Sequence, residues 1–527
     1  MREIQSKVDK KSDKYKENEK LMLQKVKELD GLLAKSKWQG EDRHIEKAKK
    51  SGKMLARERI AMLLDKDVPS FELLPLAGHG RDSFALGGTM TAVIGLVNGK
   101  VCIVIANIPT IKGGSIDEVT LQKGMRLNEI ALENRLPAIY LVESAGANLE
   151  EQSKIFNIGG SNFREITRRS KEGIPTISVV FGNSTAGGAY VPGMSDYIIM
   201  VKKQAKVFLA GPPLVKMATG EDSDDESLGG AEMHSRISGV SDFLAKDEKE
   251  ALDIARDLMG IMNFPESKEG LLPKAPAPKL DPQEMLGVLS TDLKRAFDVR
   301  EVIARTVDGS KFLEFKKEYG PTLITGFAEI HGYKVGIIGN NGVLVSEAAN
   351  KGAHFIQLCN KNNTPLIFLQ NITGFMVGKK YEQGGIIKDG AKMINAVSNS
   401  KVPAITVIIG ASYGAGNYAM CGRAFQPRFL YSWPNSKIAV MGAQQLAGVM
   451  TLIQMKTGKP MGDGEGYTFD VLEKQVEEQS SAFYASGQLW DDNVIDPRKT
   501  REYLGMSLSV IHSSEFSGSS DYGIFRM

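Results

Sequence analysis

Cysteine and histidine are both scarce in this 527-residue chain. The three cysteines, Cys102, Cys359 and Cys421, are too far apart in sequence for a CxxC metal or redox site. An odd, sparse set also argues against a disulfide framework and for a reducing compartment. Cys102 and Cys359 lie in apolar or helical text, so we expect buried, inert thiols. We expect no metal site in this chain.

Neither sign of charge is in large excess, because 66 basic residues stand against 63 acidic ones. This balance gives no sign of a nucleic-acid or membrane surface. No apolar run approaches the ~18 residues that a membrane span requires. The first 20 residues lack the apolar segment of a secretory signal, and their acidic residues are unlike a transit peptide. We therefore expect a cytoplasmic protein that binds neither nucleic acid nor membrane.

The chain is too long for one ordinary core, and two domains are the natural expectation. Short apolar runs alternate with helical text from Val93 onward, which predicts an α/β fold with buried strands. The stretch 264–284 contains five prolines and is the best linker candidate. We therefore predict a helical segment over 1–65, an N-terminal domain over 66–265, a linker over 266–284 and a C-terminal domain over 285–527.

The two halves of the chain repeat each other with an offset of 228 residues. Pro137 and Pro175 each precede an apolar strand, and Pro365 and Pro403 do the same in the second half. The same offset relates three further pairs of identical residues, namely Gly182 and Gly410, Ser184 and Ser412, and Tyr190 and Tyr418. Agreement at five positions predicts a duplicated domain whose function uses both copies.

A strand in each half runs into a turn of small residues, GNSTAGGAY over 182–190 and GASYGAGNY over 410–418. Small residues let a ligand approach the backbone closely. If a helix begins there, its first N–H groups lack internal partners and form an anion receptor or an oxyanion hole. Gly187 and Gly188 then correspond to Ala415 and Gly416. The loops Ser144–Ala147 and Thr373–Phe375 follow the preceding strands and could line the same sites. Tight packing of helix on strand is the alternative reading.

Side chains suited to general-base catalysis are missing from these turns. The sequence has no GxSxG elbow and no HExxH motif, and none of its six histidines lies in a glycine turn. A site with oxyanion receptors but no evident base suggests that a cofactor supplies the base.

Long segments of the sequence identify it as similar to a known family. The chain resembles the carboxyltransferase (β) subunits of biotin-dependent acyl-CoA carboxylases, and most of all those of methylcrotonyl-CoA carboxylases. The matching segments are GKMLARERIAMLLD (52–65), STAGGAYVPGMSD (184–196), FLAGPPLVKMATGE (208–221), GNNGVLVSEAANKGAHFIQLC (339–359), LQNITGFMVG (369–378) and IIGASYGAGNYAMCGRAFQPRFLYSWPN (408–435). The resemblance implies two tandem crotonase (ClpP/enoyl-CoA hydratase-like) superfolds behind a helical extension.

The resemblance also implies a role for each turn. The thioester carbonyl of the acyl-CoA docks on Gly187 and Gly188, and the ureido carbonyl of biotin docks on Ala415 and Gly416. The acyl-CoA site further includes Ser144, Ala145, Gly146, Ala147, Ala186, Lys53 and Arg57. The biotin site further includes Thr373, Gly374, Phe375, Tyr413, Gly414 and Asn417. Lys50, Lys53 and Arg57 are expected on one helix face, where they would bind CoA phosphates.

A partner completes the enzyme that the resemblance implies. Biotin arrives on a biotin carboxylase/biotin carrier α subunit, and the β subunits form an oligomer, usually a hexamer. The stretch 144–163 departs from the methylcrotonyl pattern, so geranyl-, propionyl- or another acyl-CoA stays open as the substrate. Three other functions also stay open: the carboxyltransferase of an acyl-CoA decarboxylase, a non-catalytic assembly protein, and a hydratase or isomerase. The last would use paired carboxylates among Glu143, Glu150 and Glu151.

Overall fold

The computed structural model describes residues 1–293, 295, 297–457 and 468–527. The chain divides into two units. The N-terminal unit comprises Leu33–Leu271 and His512–Ser514, and the C-terminal unit comprises Met1–Leu32, Leu272–Ile511 and Glu515–Met527. The predicted helical segment 1–65 is therefore divided between the two units, and the boundary at 271–272 lies inside the predicted linker.

Short helices open the chain, as the Lys-, Glu- and Leu-rich text predicts. The first elements are β1 (Arg2–Glu3), α1 (Asp13–Lys35), α2 (Asp42–Lys50) and α3 (Ala56–Leu63). Every third or fourth residue of α1 is buried, including Met22, Val26 and Leu29, because these positions share one face of a helix. Gly52, with φ of 72°, separates α2 from α3.

The N-terminal unit is built on one mixed sheet. Its strands are β2 (Phe71–Glu72), β3 (Met90–Val97), β4 (Lys100–Asn107), β5 (Ala138–Ser144), β6 (Thr176–Thr185), β7 (Tyr197–Val201), β8 (Lys206–Phe208) and β9 (Phe243–Ala245). The spatial order is β2-β3-β4-β5-β6-β7-β9, and β8 pairs with the end of β6. The pairing is antiparallel from β2 to β4 and parallel beyond, so the carboxyl ends of β5 and β6 meet at one edge.

Helices cover this sheet and connect its parallel strands. They are α4 (Glu118–Glu133), α5 (Gln152–Lys171), α6 (Tyr190–Gly193), α7 (Pro212–Thr219), α8 (Asp225–Gly229), α9 (Ala231–Met233) and α10 (Glu248–Ile261). The carboxylate of Asp117 caps α4 by accepting a 2.8 Å hydrogen bond from the N–H of Thr120. The apolar runs of β4, β5 and β6 are buried almost throughout, as expected for strands covered on both faces.

The C-terminal unit repeats this plan around a second mixed sheet. Its strands are β1, β10 (Lys311–Phe315), β11 (Leu323–Ile330), β12 (Tyr333–Asn340), β13 (Leu366–Ile372), β14 (Ala404–Tyr413), β15 (Phe429–Ser432), β16 (Lys437–Ala439) and β17 (Asn493–Val494). Its later helices are α11 (Met285–Val288), α12 (Arg300–Ala304), α13 (Ser346–Lys361), α14 (Lys379–Gln383), α15 (Ile386–Ser398), α16 (Gly414–Ala419), α17 (Ala443–Thr457), α18 (Phe469–Gln479), α19 (Ala482–Gly487) and α20 (Thr500–His512). The spatial order is β1-β10-β11-β12-β13-β14-β15-β17, and β16 pairs with β14.

The predicted 228-residue repeat is confirmed element by element. That offset carries the bounds of α4, β5 and β6 onto those of α13, β13 and β14. Both copies break their strand register at the same place, Ser144 opposite Ser184 and Ile372 opposite Ser412. Isolated bridges also match, Ile116 with Ala147 and Leu344 with Phe375. The duplication therefore extends to the loops beside the two glycine turns.

The predicted burial of the cysteines is also confirmed. Cys102, Cys359 and Cys421 are buried, free thiols. Burial raises the pKa of Cys102, and it raises that of Cys359 to about 12. A thiol with a raised pKa carries little thiolate near neutral pH and is unreactive. None of the helices in the described part of the chain is both long and apolar enough to cross a lipid bilayer.

Candidate active site

The first glycine turn carries backbone donors that are free to bind a ligand. Strand β6 ends at Thr185, Ala186 adopts a left-handed φ of 52°, and a 3₁₀ turn over Ala186–Ala189 leads into α6. Within the described residues, the N–H groups of Gly187 and Gly188 have no hydrogen-bond acceptor. Gly187 is exposed and Gly188 is buried. The turn therefore presents the unpaired donors that an oxyanion receptor requires.

The second turn has the same backbone form. Gly414 adopts a left-handed φ of 55° and opens α16 directly after β14. Among the residues that the structure describes, no acceptor faces the N–H groups of Ala415 and Gly416. Ala415 is exposed and Gly416 is buried, as at the first turn. Two unpaired N–H groups at matching positions are therefore a property of the duplicated fold.

The loop Ser144–Ala147 packs beside the first turn, as predicted. The hydroxyl of Ser144 donates to the carbonyl of Gly114 at 2.6 Å, and the hydroxyl of Thr185 donates to the carbonyl of Ala145 at 2.8 Å. The Cα of Gly146 lies 3.7 Å from the position that a Cβ of Gly188 would take. These contacts hold the loop against the receptor.

The loop Thr373–Phe375 lies beside the second turn in the same way. The Cα of Gly374 is 3.3 Å from the Cβ position of Gly416, and its carbonyl accepts a 3.2 Å hydrogen bond from the N–H of Leu344. Thr373 is exposed, while the ring of Phe375 packs over Gly390 of α15. Tyr413 ends β14, and burial together with Glu477 raises its pKa to about 12, so it remains a neutral phenol.

Asn417 differs from its predicted role in the biotin site. Its side-chain amide donates a 2.7 Å hydrogen bond to the hydroxyl of Ser412, which in turn donates to Gln370 at 2.5 Å. Gln370 donates to the carbonyl of Met420 at 2.7 Å. Asn417 borders the cavity at this turn, yet its amide is committed to a network that fixes α16 on the sheet.

The two turns differ in what fills the space next to the buried glycine. At the first turn, a cavity of about 70 Å³ borders Gly188, Ser144 and Ser184. At the second turn, Ile372 stands in the place of Ser144, and its Cγ1 lies only 2.5 Å from the Cβ position of Gly416. Ile372 belongs to a continuous hydrophobic core there. The serine-to-isoleucine difference thus leaves a pocket open at the first turn and fills it at the second.

A larger cavity of about 660 Å³ opens at the second turn instead. Gly414 and Ala415 line it from the turn, and Tyr418, Arg423 and Trp490 line it from beyond. Arg423 donates a 2.8 Å hydrogen bond to the buried carboxylate of Asp492. The exposed donor of Ala415 therefore lies at the wall of a wide opening rather than beside a narrow pocket.

The predicted shared face of Lys50, Lys53 and Arg57 is wrong. Lys50 ends α2, and α3 begins only at Ala56. The left-handed Gly52 and the extended Leu55 break the helix between them, so the expected i, i+3, i+7 spacing does not apply. The three cations therefore have separate surroundings.

Lys53 belongs to a charged cluster at a cavity of about 350 Å³. Lys53 pairs with Glu143, which also accepts a 2.9 Å hydrogen bond from Arg59. Arg59 is buried and forms a second, two-pronged pair with Glu248 at 2.7 and 2.9 Å. Burial works to lower the pKa of Arg59, but the hydrogen bonds of Glu248 and Glu143 outweigh it and raise that pKa.

Sequence reasoning missed Arg59 and Glu248 as part of this site. Arg59 stands in the GKMLARERI segment that carried the resemblance, so a signal existed for it. Glu248 opens α10, and nothing in its local sequence indicates a partner 189 residues earlier. Ser144 and Ala145 also line the cavity, which places the cluster beside the loop of the first turn.

Arg57, by contrast, is committed to the fold. Its guanidinium pairs with both oxygens of Glu72 at 2.8 and 2.9 Å and donates to the carbonyl of Ser36 at 3.0 Å. The C-terminal unit repeats this pair as Arg300 with Glu314. A pair that recurs in both copies belongs to the shared architecture, so Arg57 is not available to an acyl-CoA.

The carboxylates that a hydratase would need are not free. Glu143 is paired with two cations, as described above. Glu151 accepts hydrogen bonds from the N–H of Glu118 at 2.9 Å and the amide of Asn148 at 3.2 Å, which hold its loop. Glu150 is exposed. This arrangement lacks the pair of available carboxylates that acid–base chemistry on an enoyl-CoA requires.

Comparison with known proteins identifies the family. The model of the carboxyl transferase domain matches residues 47–519. The chain is 52% identical to a probable biotin-dependent acyl-coenzyme A carboxylase beta2 subunit of Mycobacterium tuberculosis, over 99% of this chain and all of that protein. It is 48% identical to a probable mitochondrial methylcrotonoyl-CoA carboxylase beta chain of Drosophila melanogaster, over 99% of this chain and 95% of that one.

A solved structure gives the same result. The β subunit of geranyl-CoA carboxylase from P. aeruginosa superposes with a TM-score of 0.89 and 42% identity, covering 100% of this chain and 99% of that one. The predicted α/β fold with two crotonase-like units and the predicted carboxyltransferase class are both confirmed. The chain therefore belongs to the carboxyl transferase domain family.

Proposed function

We propose that the chain transfers a carboxyl group from carboxybiotin, held by a partner subunit, to 3-methylcrotonyl-CoA. The observation that carries the proposal is the inequality of the two turns. Both present unpaired N–H groups, but only the first has a pocket next to its buried glycine. An acyl chain needs such a pocket, whereas the bicyclic biotin head needs a wide entrance.

The acyl-CoA binds at the first turn in this proposal. The N–H groups of Gly187 and Gly188 donate to the thioester oxygen, which gains negative charge when the acyl group loses a proton. Ala186 and the loop Ser144–Ala147 hold that turn in place. Fixed donors of this kind lower the energy of the transition state because they need no reorganisation, and one donor contributes about 3 kcal/mol.

The size of the cavity supports a short acyl group. A single water needs about 10–15 Å³ of such space, so about 70 Å³ accommodates about five carbon-sized groups. The side chains of Ile105, Val142 and Ile166 make its walls apolar. A 3-methylcrotonyl group has five carbons and matches this volume, whereas a geranyl group has ten.

The second turn fits the head group of biotin. The free N–H groups of Ala415 and Gly416 can donate to a ureido oxygen, and Gly414 keeps the entrance free of side chains. Thr373, Gly374, Phe375 and Tyr413 line or support this turn, and Asn417 fixes its helix. Carboxybiotin, when bound, supplies the carboxyl group and the base that this chain does not provide.

Lys53 is the cation that we assign to the CoA portion of the substrate. Its ammonium group borders the cavity of about 350 Å³ and remains 24% exposed beside Glu143. His44 and Lys47 of α2 line the same cavity and add positive charge. Phosphate oxygens of CoA are complementary to such a cluster.

The chain works, in our proposal, as a homohexameric core with a biotin carboxylase/biotin carrier α subunit. Large apolar side chains lie exposed on one face of α17, at Val449, Leu452 and Ile453, and on α7, at Leu214 and Met217. Exposed apolar faces of this kind mark protein–protein contacts. They supply surfaces for a second copy of the chain or for the partner.

Co-expression with the biotin carboxylase subunit of the same genome tests the proposal. Fixation of labelled bicarbonate that requires ATP would be measured with acetyl-, propionyl-, 3-methylcrotonyl- and geranyl-CoA. We expect the highest kcat/KM with 3-methylcrotonyl-CoA. A folded complex that carboxylates none of the four would contradict the proposed function.

A further inference from the structure

Three buried polar residues close the far end of the acyl cavity. Asn128 of α4 and Tyr140 of β5 line it directly. The phenol of Tyr140 donates to Oδ1 of Asn128 at 3.3 Å. Arg169 of α5 is fully buried, and its Nη2 donates to that same oxygen at 3.1 Å and to the phenol oxygen of Tyr140. We refer to these residues as the polar floor.

The second copy of the fold shows that this floor is not required by the architecture. The 228-residue offset places Ile356, Phe368 and Val397 at the positions of Asn128, Tyr140 and Arg169. All three are buried members of a hydrophobic core in the C-terminal unit. The same scaffold therefore packs with apolar side chains there, and the polar set is particular to the copy with the pocket.

Arg169 makes the floor difficult to displace. It forms no ion pair with a carboxylate in the described part of the chain, and its Nε and Nη1 are buried without hydrogen-bond partners. Asn128 and Tyr140 are thus the only groups that it donates to among the described residues. A longer apolar chain would have to separate Arg169 from these acceptors and leave a buried cation uncompensated, which is highly unfavourable.

The floor also offers a polar surface to whatever reaches it. The amide of Asn128 donates to Oδ1 of Asn162 at 2.9 Å, and Asn162 lines the cavity as well. Apolar carbon placed against these groups gains no hydrogen bond and removes water from them. A short branched chain ends before the floor, whereas an extended isoprenoid chain does not.

We propose that the polar floor determines substrate specificity by limiting the length of the acyl chain. Asn128 and Tyr140 meet the end of the chain, and Arg169 is a positioning residue that acts through them. The inference rests on the proposed function at the first turn. It assigns the substrate class as short, branched acyl-CoA thioesters and excludes long isoprenoid ones.

The test compares 3-methylcrotonyl-CoA with geranyl-CoA in the complex with the biotin carboxylase subunit. For the wild type we expect kcat/KM for geranyl-CoA to be lower by at least about a hundredfold, since even one extra methylene costs about 10- to 200-fold. The key variant, Asn128→Ile/Tyr140→Phe/Arg169→Val, introduces the residues that the second copy carries. Its geranyl-to-methylcrotonyl ratio of kcat/KM should rise at least about tenfold.

The ratio is the decisive readout because a loss of folded enzyme lowers both rates equally. Arg168→Val is the matched control, since Arg168 is the exposed neighbour on the same helix and should leave the ratio unchanged. If the triple variant does not fold, Tyr140→Phe alone, which keeps the ring, should raise the ratio by a smaller factor. A wild type that accepts geranyl-CoA within tenfold of methylcrotonyl-CoA, or a folded triple variant with an unchanged ratio, overturns the inference. Failure to carboxylate any acyl-CoA would instead refute the proposed function.

Discussion

At the scale of single residues, Gly188 and Gly416 occupy equivalent positions but have different surroundings. A Cβ at Gly188 would meet its nearest neighbours at 3.7 and 3.9 Å, which is ordinary contact. A Cβ at Gly416 would lie 2.5 Å from the side chain of Ile372. The structure therefore separates two glycines that the repeat alone treats as equal.

We expect Gly416→Ala to destabilise the protein by about 1–3 kcal/mol, because the buried side chain of Ile372 must shift. Gly188→Ala should change stability by less than about 1 kcal/mol. Thermal unfolding followed by scanning fluorimetry measures both. Adding Ile372→Ser, the residue that the first copy carries, should restore the stability of Gly416→Ala. Equal destabilisation by the two glycine variants would contradict this packing.

Asp491 is a second residue with a measurable consequence. It is completely buried, and this burial raises its pKa to about 7, from 3.8 in an unfolded chain. The folded state consequently holds a proton that the unfolded state releases between about pH 4 and pH 7. Stability from this group is therefore greatest at low pH and is lost as the pH rises toward 7.

We predict that Asp491→Asn reduces the fall in stability between pH 5 and pH 8. The amide keeps the shape of the protonated carboxyl group but cannot ionise. Melting temperatures of wild type and variant would be recorded across that range in buffers of equal ionic strength. A variant with the same pH dependence as the wild type would show that Asp491 does not titrate as described.

At the scale of elements, the strands and the repeat could be predicted from the sequence, but the helix break could not. Apolar runs such as 101–107 and 404–410 specify buried strands by composition, and β4 and β14 contain them. The charged text around Lys50 and Arg57 favours helix throughout. Only the left-handed Gly52 shows where that helix stops, and a glycine inside helical text does not announce its φ angle.

The candidate site was predictable to a similar degree. The glycine turns carried their own signal because small residues and the 228-residue offset are visible in the text. The pairing of Arg59 with Glu248, and the network that commits Asn417 to Ser412, depend on tertiary contacts that no local pattern encodes. The contrast between Ser144 and Ile372 acquires meaning only once each is seen beside its glycine.

The break between α2 and α3 separates the roles of Lys53 and Arg57. We expect Lys53→Met to raise KM for the acyl-CoA about tenfold with little change in kcat, because it removes a binding charge remote from the reacting atoms. Arg57→Met should leave KM unchanged but cost about 2 kcal/mol of stability, since it deprives Glu72 of its hydrogen bonds. Steady-state kinetics and thermal unfolding of both variants measure these effects. A higher KM in Arg57→Met at full stability would return Arg57 to the substrate site.

At the scale of the whole molecule, duplication followed by divergence explains the division of labour. Both units keep a strand, a left-handed residue and a helix start that present unpaired N–H groups. One copy opened an acyl pocket with Ser144 and a polar floor, and the other filled that space with Ile372 and a continuous apolar core. A single receptor design thus serves two oxyanions.

Calorimetric titration with 3-methylcrotonyl-CoA tests this assignment of the two turns most directly. Gly188→Val and Ala415→Val each place a branched side chain at one turn, and their circular dichroism spectra control for folding. We predict that Gly188→Val raises the Kd for 3-methylcrotonyl-CoA at least about tenfold, while Ala415→Val leaves it within about twofold of the wild-type value. Weak binding by Ala415→Val together with unchanged binding by Gly188→Val would place the acyl-CoA at the second turn and contradict the account.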